Sequence, residues 1–477
     1  MANCLKVFTS ITVRKSSCPN IKDTNGQTPY SISMKTRLLA VILLVFSAIH
    51  AQAQKYVGGD ISLLTQYETH GARYYDTDKS TPITDLLDYF KTKGMNAMRV
   101  RLFVNPDNAT AAERGQGVCQ NLEYVKALGR RIKAAGFKLL LDFHYSDTWA
   151  DPQKQWTPKD WLALNDEQLQ NEIYTYTKNC LHEMKEAGAE PDFIQTGNEI
   201  SYGMLWGGAV IDTQNSTAED TKYIINSTHK TVYSLTGDNF NRFIALLKKA
   251  GNACREECPD AKIIIHTERV AKYDYLSQYY QALETSGVDF DIMGLSFYPY
   301  YHGNLDTLDT ALNTLESAIP DKDIMIVEMA YHHKWQGAIA PDGADLSATY
   351  PITDEGQQQY TEALINILNL HNQVIGLFWW WMEANECGLD WSTQRVTDGW
   401  NNSSLFDNEQ GYAMPTINSM KKFLEETSHT GINTISHQPL TNNHLYDLQG
   451  RKLVISKLSN GQLSKGIYIY QGKKTIL

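Results

Sequence analysis

The chain is short of several things, and each shortage removes a class of function. Its 477 residues carry no basic run, and Lys+Arg at 43 fall below Asp+Glu at 54, a net charge of -11. Nucleic acid is therefore not an expected partner. A polyanionic polymer would also be repelled at long range, which favours a neutral substrate. Cysteine is scarce. Of seven, Cys4 and Cys18 fall in a leader, leaving Cys119, Cys180, Cys254, Cys258 and Cys387. An odd, widely spaced set is no disulfide scaffold. Cys254 and Cys258, in "CREECPD" before the turn at Pro259, are the one pairing left open, and two thiols alone are too few for a metal site. No H-x-x-x-H pattern and no G-x-G-x-x-G loop occur; the first strand candidate runs into "GGDIS", which argues against dinucleotide binding. Long apolar runs are missing too. The apolar stretch Leu38–Ile49 is too short to span a membrane.

That stretch is better read as an address. In "MKTRLLAVILLVFSAIHAQAQ", residues 34–54, Lys35 and Arg37 precede the apolar run, and Ala51-Gln52-Ala53 follows it. The order is that of a secretory signal peptide. Residues 34–53 are expected to be that peptide, cut after Ala53, and residues 1–33 an over-extended start. The protein is thus expected to be exported to the periplasm, the cell surface or the medium. The residue directly after the cut is Gln54 and not Cys, so a lipid anchor is not indicated.

What is present is alternation. Strand candidates occupy 56–62, 95–104, 137–145, 192–198, 262–267, 290–298, 323–329 and 374–381. Helical patterns lie between them, at 83–94, 121–136, 171–188, 239–254 and 356–371. Gly94, Gly136 and Gly188 stand where helices should stop. Eight such repeats over residues 54–428 predict an α/β fold of the (β/α)8 TIM-barrel type. A doubly wound open sheet would need the phosphate loop that is lacking. Polar insertions after the fourth strand (207–238) and the seventh (331–355) would grow on the catalytic face. Residues 429–441 read as a linker, and 442–477 as a small C-terminal β tail. Its "YDLQGRKL…KGIYIYQGKK" resembles the sorting-type tails of exported Bacteroidetes-type proteins.

In such a barrel the C-terminal strand ends converge on one pocket. They would bring Asp60, Arg99, Arg101, Asp142, His144, Asn198, Glu199, His266, Tyr298, Glu328, Trp380 and Trp381 together. Two carboxylates beside aromatic rings can break a glycosidic bond: one protonates the leaving oxygen while the other attacks or stabilises the anomeric carbon. Glu328 follows four apolar residues in "IMIVEMAYHH". Burying it without a partner would cost several kcal/mol. A plain salt bridge to Arg99 or Arg101 is the competing explanation.

Longer stretches carry a more specific likeness. Asn-Glu ending the fourth strand and Glu ending the seventh resemble the clan A glycoside hydrolases. Within that clan "DFHYSDTWADPQKQWTP", "TGNEISYGMLW", "IMGLSFYPYYHG", "IVEMAYHH", "GLFWWWMEA" and "GWNNSSLFD" resemble glycoside hydrolase family 53, the endo-β-1,4-galactanases, over residues 56–427. The resemblance implies a retaining enzyme acting on β-1,4-galactan of pectic side chains. Glu199 would be the acid/base and Glu328 the nucleophile. Asn198 would hold the sugar 2-hydroxyl, and Tyr298 the nucleophile. Arg99 or Arg101 would keep Glu328 charged. His144, His266 and Trp380 would line the sugar site, with Asp60, Asp147, Trp149 and Trp400 as further contacts. Glu199 should then have a raised pKa and Glu328 a low one, with the carboxyls roughly 5–5.5 Å apart. No cofactor is implied, and a monomer is expected. Some bacterial members hold calcium through a D-x-D-x-H-x-N run. Here the strand 7 loop offers only Asp342 and Asp345, so a structural calcium finds no support. Met382 and Glu383 replace the family's Pro and Ala, which puts subsite preference in question. Competing readings are a clan A mannanase or cellulase, and a galactan-binding protein without activity.

Overall fold

The computed structural model describes residues 54–425, with breaks at 208, 212–222, 226–228, 232 and 398, and five short strands between 433 and 476. The segments read as leader and signal peptide, and most of the one read as linker, lie outside the described residues.

Eight parallel strands close a barrel: β1 (Tyr56–Asp60), β2 (Ala97–Leu102), β3 (Lys138–Phe143), β4 (Phe193–Thr196), β5 (Lys262–Thr267), β6 (Ile292–Phe297), β7 (Asp323–Met329) and β8 (Val374–Trp379). Closure is made by β1, whose Tyr56 stands opposite Gly376 and whose Gly58 stands opposite Ala97. At Gly58 a Cβ would fall 1.7 Å from the Ala97 carbonyl oxygen, so the strands meet there only because the side chain is missing. All eight strand candidates are found, two of them with unchanged boundaries. The outer ring includes α1 (Leu86–Thr92), α2 (Leu122–Ala134), α3 (Asp166–Glu186), α4 (Asp238–Glu257), α5 (Tyr273–Thr285), α6 (Leu305–Ala318) and α7 (Asp354–Leu368). Asp85, Asn121, Asn165 and Thr353 cap α1, α2, α3 and α7 by accepting backbone N–H bonds. Cys254 lies in α4 and Cys258 follows its end; both are free thiols.

Two apolar layers fix the site's position. One, between strands and helices, holds most of the core. The other fills the barrel, with Ala97, Leu140, Phe193, Ile264, Ile292, Met325 and Phe378 drawn from successive strands. Two residues further along each of β2 to β5 the inward position turns polar: Arg99, Asp142, Gln195 and His266, all buried. On β7 the alternation breaks. Its register against β6 slips after Leu295, so that Ser296 faces Glu328 rather than Val327. This bulge turns the Glu328 carboxyl inward next to the site.

The C-terminal segment forms a five-stranded sheet from 433–434, 445–446, 452–453, 467–470 and 473–476. Its first strand falls inside the segment read as linker. Among the described residues no helix is long and apolar enough to cross a membrane.

Candidate active site

Above the polar layer lies a cleft of about 550 Å³. Its lining includes Glu199, Glu328, Asn198, Tyr298 and four tryptophans, Trp149, Trp380, Trp381 and Trp400. Glu199, Trp381 and Trp400 have backbone φ of 48°, 50° and 62°, a left-handed region that costs non-glycine residues energy. Three cleft-lining side chains held this way indicate that the loops are built around their placement. Trp380 and Trp381 stack at 5.6 Å with an interplanar angle of 20°, and Trp149 and Trp400 meet Trp380 edge-on. Both stacked indole N–H groups are without a protein partner.

The carboxylates have different surroundings. Glu328 is buried. Arg99 Nη2 lies 2.9 Å from its Oε1 as an ion pair, and the Tyr298 hydroxyl donates to Oε2 at 2.9 Å. Glu199 is partly open to the cleft. The Ser296 hydroxyl donates to its Oε1 at 2.6 Å, and no cation pairs with it among the described residues. Ser296 Oγ also lies 3.4 Å from Glu328 Oε2. The nearest carboxyl oxygens are thus no farther apart than these two legs laid end to end, about 6 Å. An inverting pair needs roughly 6.5–9.5 Å to admit water between the carboxyls. The bound accommodates the close pair that a retaining mechanism uses.

Burial pushes the Glu199 carboxyl well above its usual range, and the nearby Glu328 and Glu268 carboxylates push the same way. Burial also raises Glu328, to about 7, against the pull of Arg99 and the Tyr298 hydroxyl. The expectation of a low value for Glu328 is therefore corrected: desolvation outweighs its cation. The order within the pair survives, because Glu199 lacks the Arg99 contact. The two carboxyls interact, and Arg99 favours the ionised form of Glu328 over that of Glu199.

Arg99, not Arg101, meets the nucleophile candidate. Its guanidinium also reaches Asp60 at 3.1 Å, Asp142 at 2.7 Å and the Asn198 side-chain oxygen at 2.9 Å. Arg101 pairs with Asp60 at 2.8 Å and sits against the Trp149, Trp380 and Trp381 rings. Asn198 lines the cleft, and its amide N–H donates to the Ala150 carbonyl at 2.8 Å. Four of the expected sugar contacts, Asp60, Asp147, His144 and His266, are not among the residues that line the cleft. Asp60 is taken up by the two arginines. Asp147 accepts from Asn105 and Lys159 backbone N–H groups and the Asn108 amide, clamping loops. His144 and His266 are buried without lining the cleft, and burial keeps both rings neutral near pH 7.

Sequence reasoning missed Ser296, Gln195 and Glu268. Gln195 donates to Asp142 at 2.5 Å and to His266 Nδ1 at 3.0 Å, tying β3, β4 and β5 together. Glu268 lines the cleft, accepts from Ser201 and pairs with Arg269. All three continue the inward period-2 series of their strands, and that series is the signal that could have found them. Met382 and Glu383 do not line the cleft. Glu383 accepts the Leu63 N–H at 2.8 Å, and burial with Asp60 nearby raises its carboxyl to about 8. The departure from the family pattern therefore supports the β1 and β8 loops and leaves the cleft wall alone.

No group of three or more His, Cys, Asp or Glu that could hold a metal occurs among the described residues. In the strand 7 loop Asp342 is paired with Lys272 at 2.6 Å, and Asp345 Oδ1 accepts the Ser347 backbone N–H.

Against known proteins, the model of glycosyl hydrolase family 53 matches residues 56–420. An uncharacterized protein of Niallia circulans is 34% identical over 77% of the chain and 94% of its own length. The arabinogalactan endo-beta-1,4-galactanase of Cellvibrio japonicus is 30% identical over 78% of the chain and 93% of its own length. Among solved structures, the GH53 catalytic domain of Ignisphaera aggregans superposes with a TM-score of 0.64 at 31% identity, covering 78% of this chain and 97% of that one. A fungal beta-1,4-galactanase structure gives 0.60 at 26% identity, over 78% and 100%.

Proposed function

The chain belongs to glycosyl hydrolase family 53, and on that footing we propose that it is a retaining endo-β-1,4-galactanase acting on the neutral galactan side chains of pectin. The observation that carries the mechanism is the single Ser296 hydroxyl within reach of both carboxylates, which bounds their separation. Glu328, ionised beside Arg99, attacks the anomeric carbon. The bond from that carbon to the leaving oxygen breaks, and the oxygen takes the Glu199 proton. The ring is then esterified to Glu328, and Asn198 holds its 2-hydroxyl. Water attacks next and gives a proton to Glu199, while Glu328 leaves as carboxylate. Every proton is moved by these two groups, so the reaction calls for no cofactor. Trp380 and its three neighbours supply apolar faces for sugar rings.

One barrel contributes every residue of this constellation, which supports action as a monomer. Lys35, Arg37, the apolar run and Ala51-Gln52-Ala53 support export before action. Product profiling tests the substrate and its mode of attack. Galactan should yield a ladder of oligosaccharides. One uniform short product would overturn endo action, and turnover of mannan or cellulose with galactan untouched would replace the substrate.

A further inference from the structure

In the retaining cycle the negative charge changes place. It sits on Glu328 in the free enzyme and on Glu199 in the covalent intermediate, where Glu328 is a neutral ester. Glu328 has Arg99 and Tyr298 to stabilise its charge. Glu199 has Ser296 as its side-chain donor. The β6–β7 bulge places this fully buried serine between the two carboxyls.

The hydroxyl is also backed in one direction. His266 Nε2 lies 2.8 Å from Ser296 Oγ. Two donors, Gln195 Nε2 at 3.0 Å and the Glu199 backbone N–H at 3.3 Å, point at His266 Nδ1. Asn198 Oδ1 is 3.0 Å from the same nitrogen, but both of its acceptor positions face other donors, Arg99 Nη2 at 2.9 Å and Gln195 Nε2 at 3.2 Å. The network therefore assigns the ring proton to Nε2, which donates to Ser296. The serine proton is then free to point at either carboxylate, and turning it needs rotation about one C–O bond.

We propose that Ser296 is a positioning residue: its hydroxyl holds the Glu199 carboxylate in place once Glu328 is esterified and so orients it toward the attacking water in the hydrolytic half of the cycle. The proposal rests on the roles given above to Glu199 and Glu328. Arg99 and Tyr298 serve Glu328 without Ser296, so losing the hydroxyl should spare the first half-reaction and slow the second.

An aryl β-galactobioside with a dinitrophenolate leaving group separates the halves, because that group departs without a proton. Ser296→Ala should lower kcat roughly 10- to 100-fold, the range for one hydrogen bond to a charged group. KM should fall by the same factor, leaving kcat/KM within about twofold of the parent, with a burst of one dinitrophenolate per chain, as expected when the intermediate accumulates. Ser296→Cys, keeping a weak donor, should fall between the two. A loss of kcat/KM as large as that of kcat, or no change in either, would overturn the proposal. Glu328→Ala in the same assay separates the two levels. If it is inactive while Ser296→Ala shows no kcat–KM split, the carboxylate pair stands and the positioning role falls. If Glu328→Ala still hydrolyses the substrate, the assignment beneath the proposal falls with it.

Discussion

Tyr298→Phe removes one hydroxyl and leaves the ring that packs 5.2 Å from Trp400 and 5.7 Å from Tyr300. The lost bond is a neutral donor on an ionised, buried acceptor, 2.9 Å from Glu328 Oε2. Such a bond contributes about 1.5–3 kcal/mol. Since one pKa unit is about 1.4 kcal/mol, the Glu328 carboxyl should rise by roughly one to two units from about 7. The sign follows from which form the hydroxyl favours: it stabilises the carboxylate, so its removal raises the pKa. The acidic limb of the kcat/KM profile, which reports ionisation of the nucleophile in the free enzyme, should move to higher pH by that amount. Activity at pH 6 should drop more than activity at pH 9. The measurement is kcat/KM on a soluble galactan across pH 4–10, with circular dichroism to verify folding. An acidic limb that stays put or moves down would refute the assigned role of Tyr298 and the charge state of Glu328.

Two other perturbations follow from the same electrostatics. Glu268→Gln removes a carboxylate that raises the Glu199 carboxyl, so the basic limb of the same profile should shift to lower pH. A basic limb unmoved by the change would show that Glu268 does not act on Glu199. His371, held between Asp309 at 3.0 Å and Glu316 at 3.2 Å, has its pKa raised to about 9 by those partners despite partial burial. Its stabilisation is fully present below the unfolded value of about 6.5 and is lost as pH rises through 9. With Asp309 partly exposed, about 1 kcal/mol is expected. Denaturant unfolding of His371→Gln should show a deficit at pH 6 that vanishes near pH 10, and an equal deficit at both would count against the ion pairs.

The barrel was legible because each strand is an apolar run bounded by a helix stop. Gly94, Gly136 and Gly188 adopt φ of 88°, 81° and 73°, as helix C-terminal glycines do. Glu199 and Glu328 were legible because each stands at the polar end of an apolar strand. The supporting residues were harder to see. Ser296 and Gln195 are small or neutral side chains within strands, and nothing in local pattern separates them from exposed polar positions until the inward phase of every strand is known. Glu328 itself is out of phase with Met325 and Val327, and only the bulge against β6 explains why it faces the cleft. Its pKa was misjudged for a related reason. A nearby arginine can be inferred from sequence, whereas the depth of burial that opposes it depends on the packed barrel.

The central claim is that Glu328 becomes bonded to the sugar while Glu199 handles the protons. A galactobioside carrying fluorine at C2 and an activated leaving group should form that intermediate and break it down slowly. Peptide mapping of the inactivated protein by mass spectrometry should find one disaccharide adduct, on Glu328. An adduct on Glu199 or any other residue, or turnover that proceeds with no adduct at any time, would contradict the account.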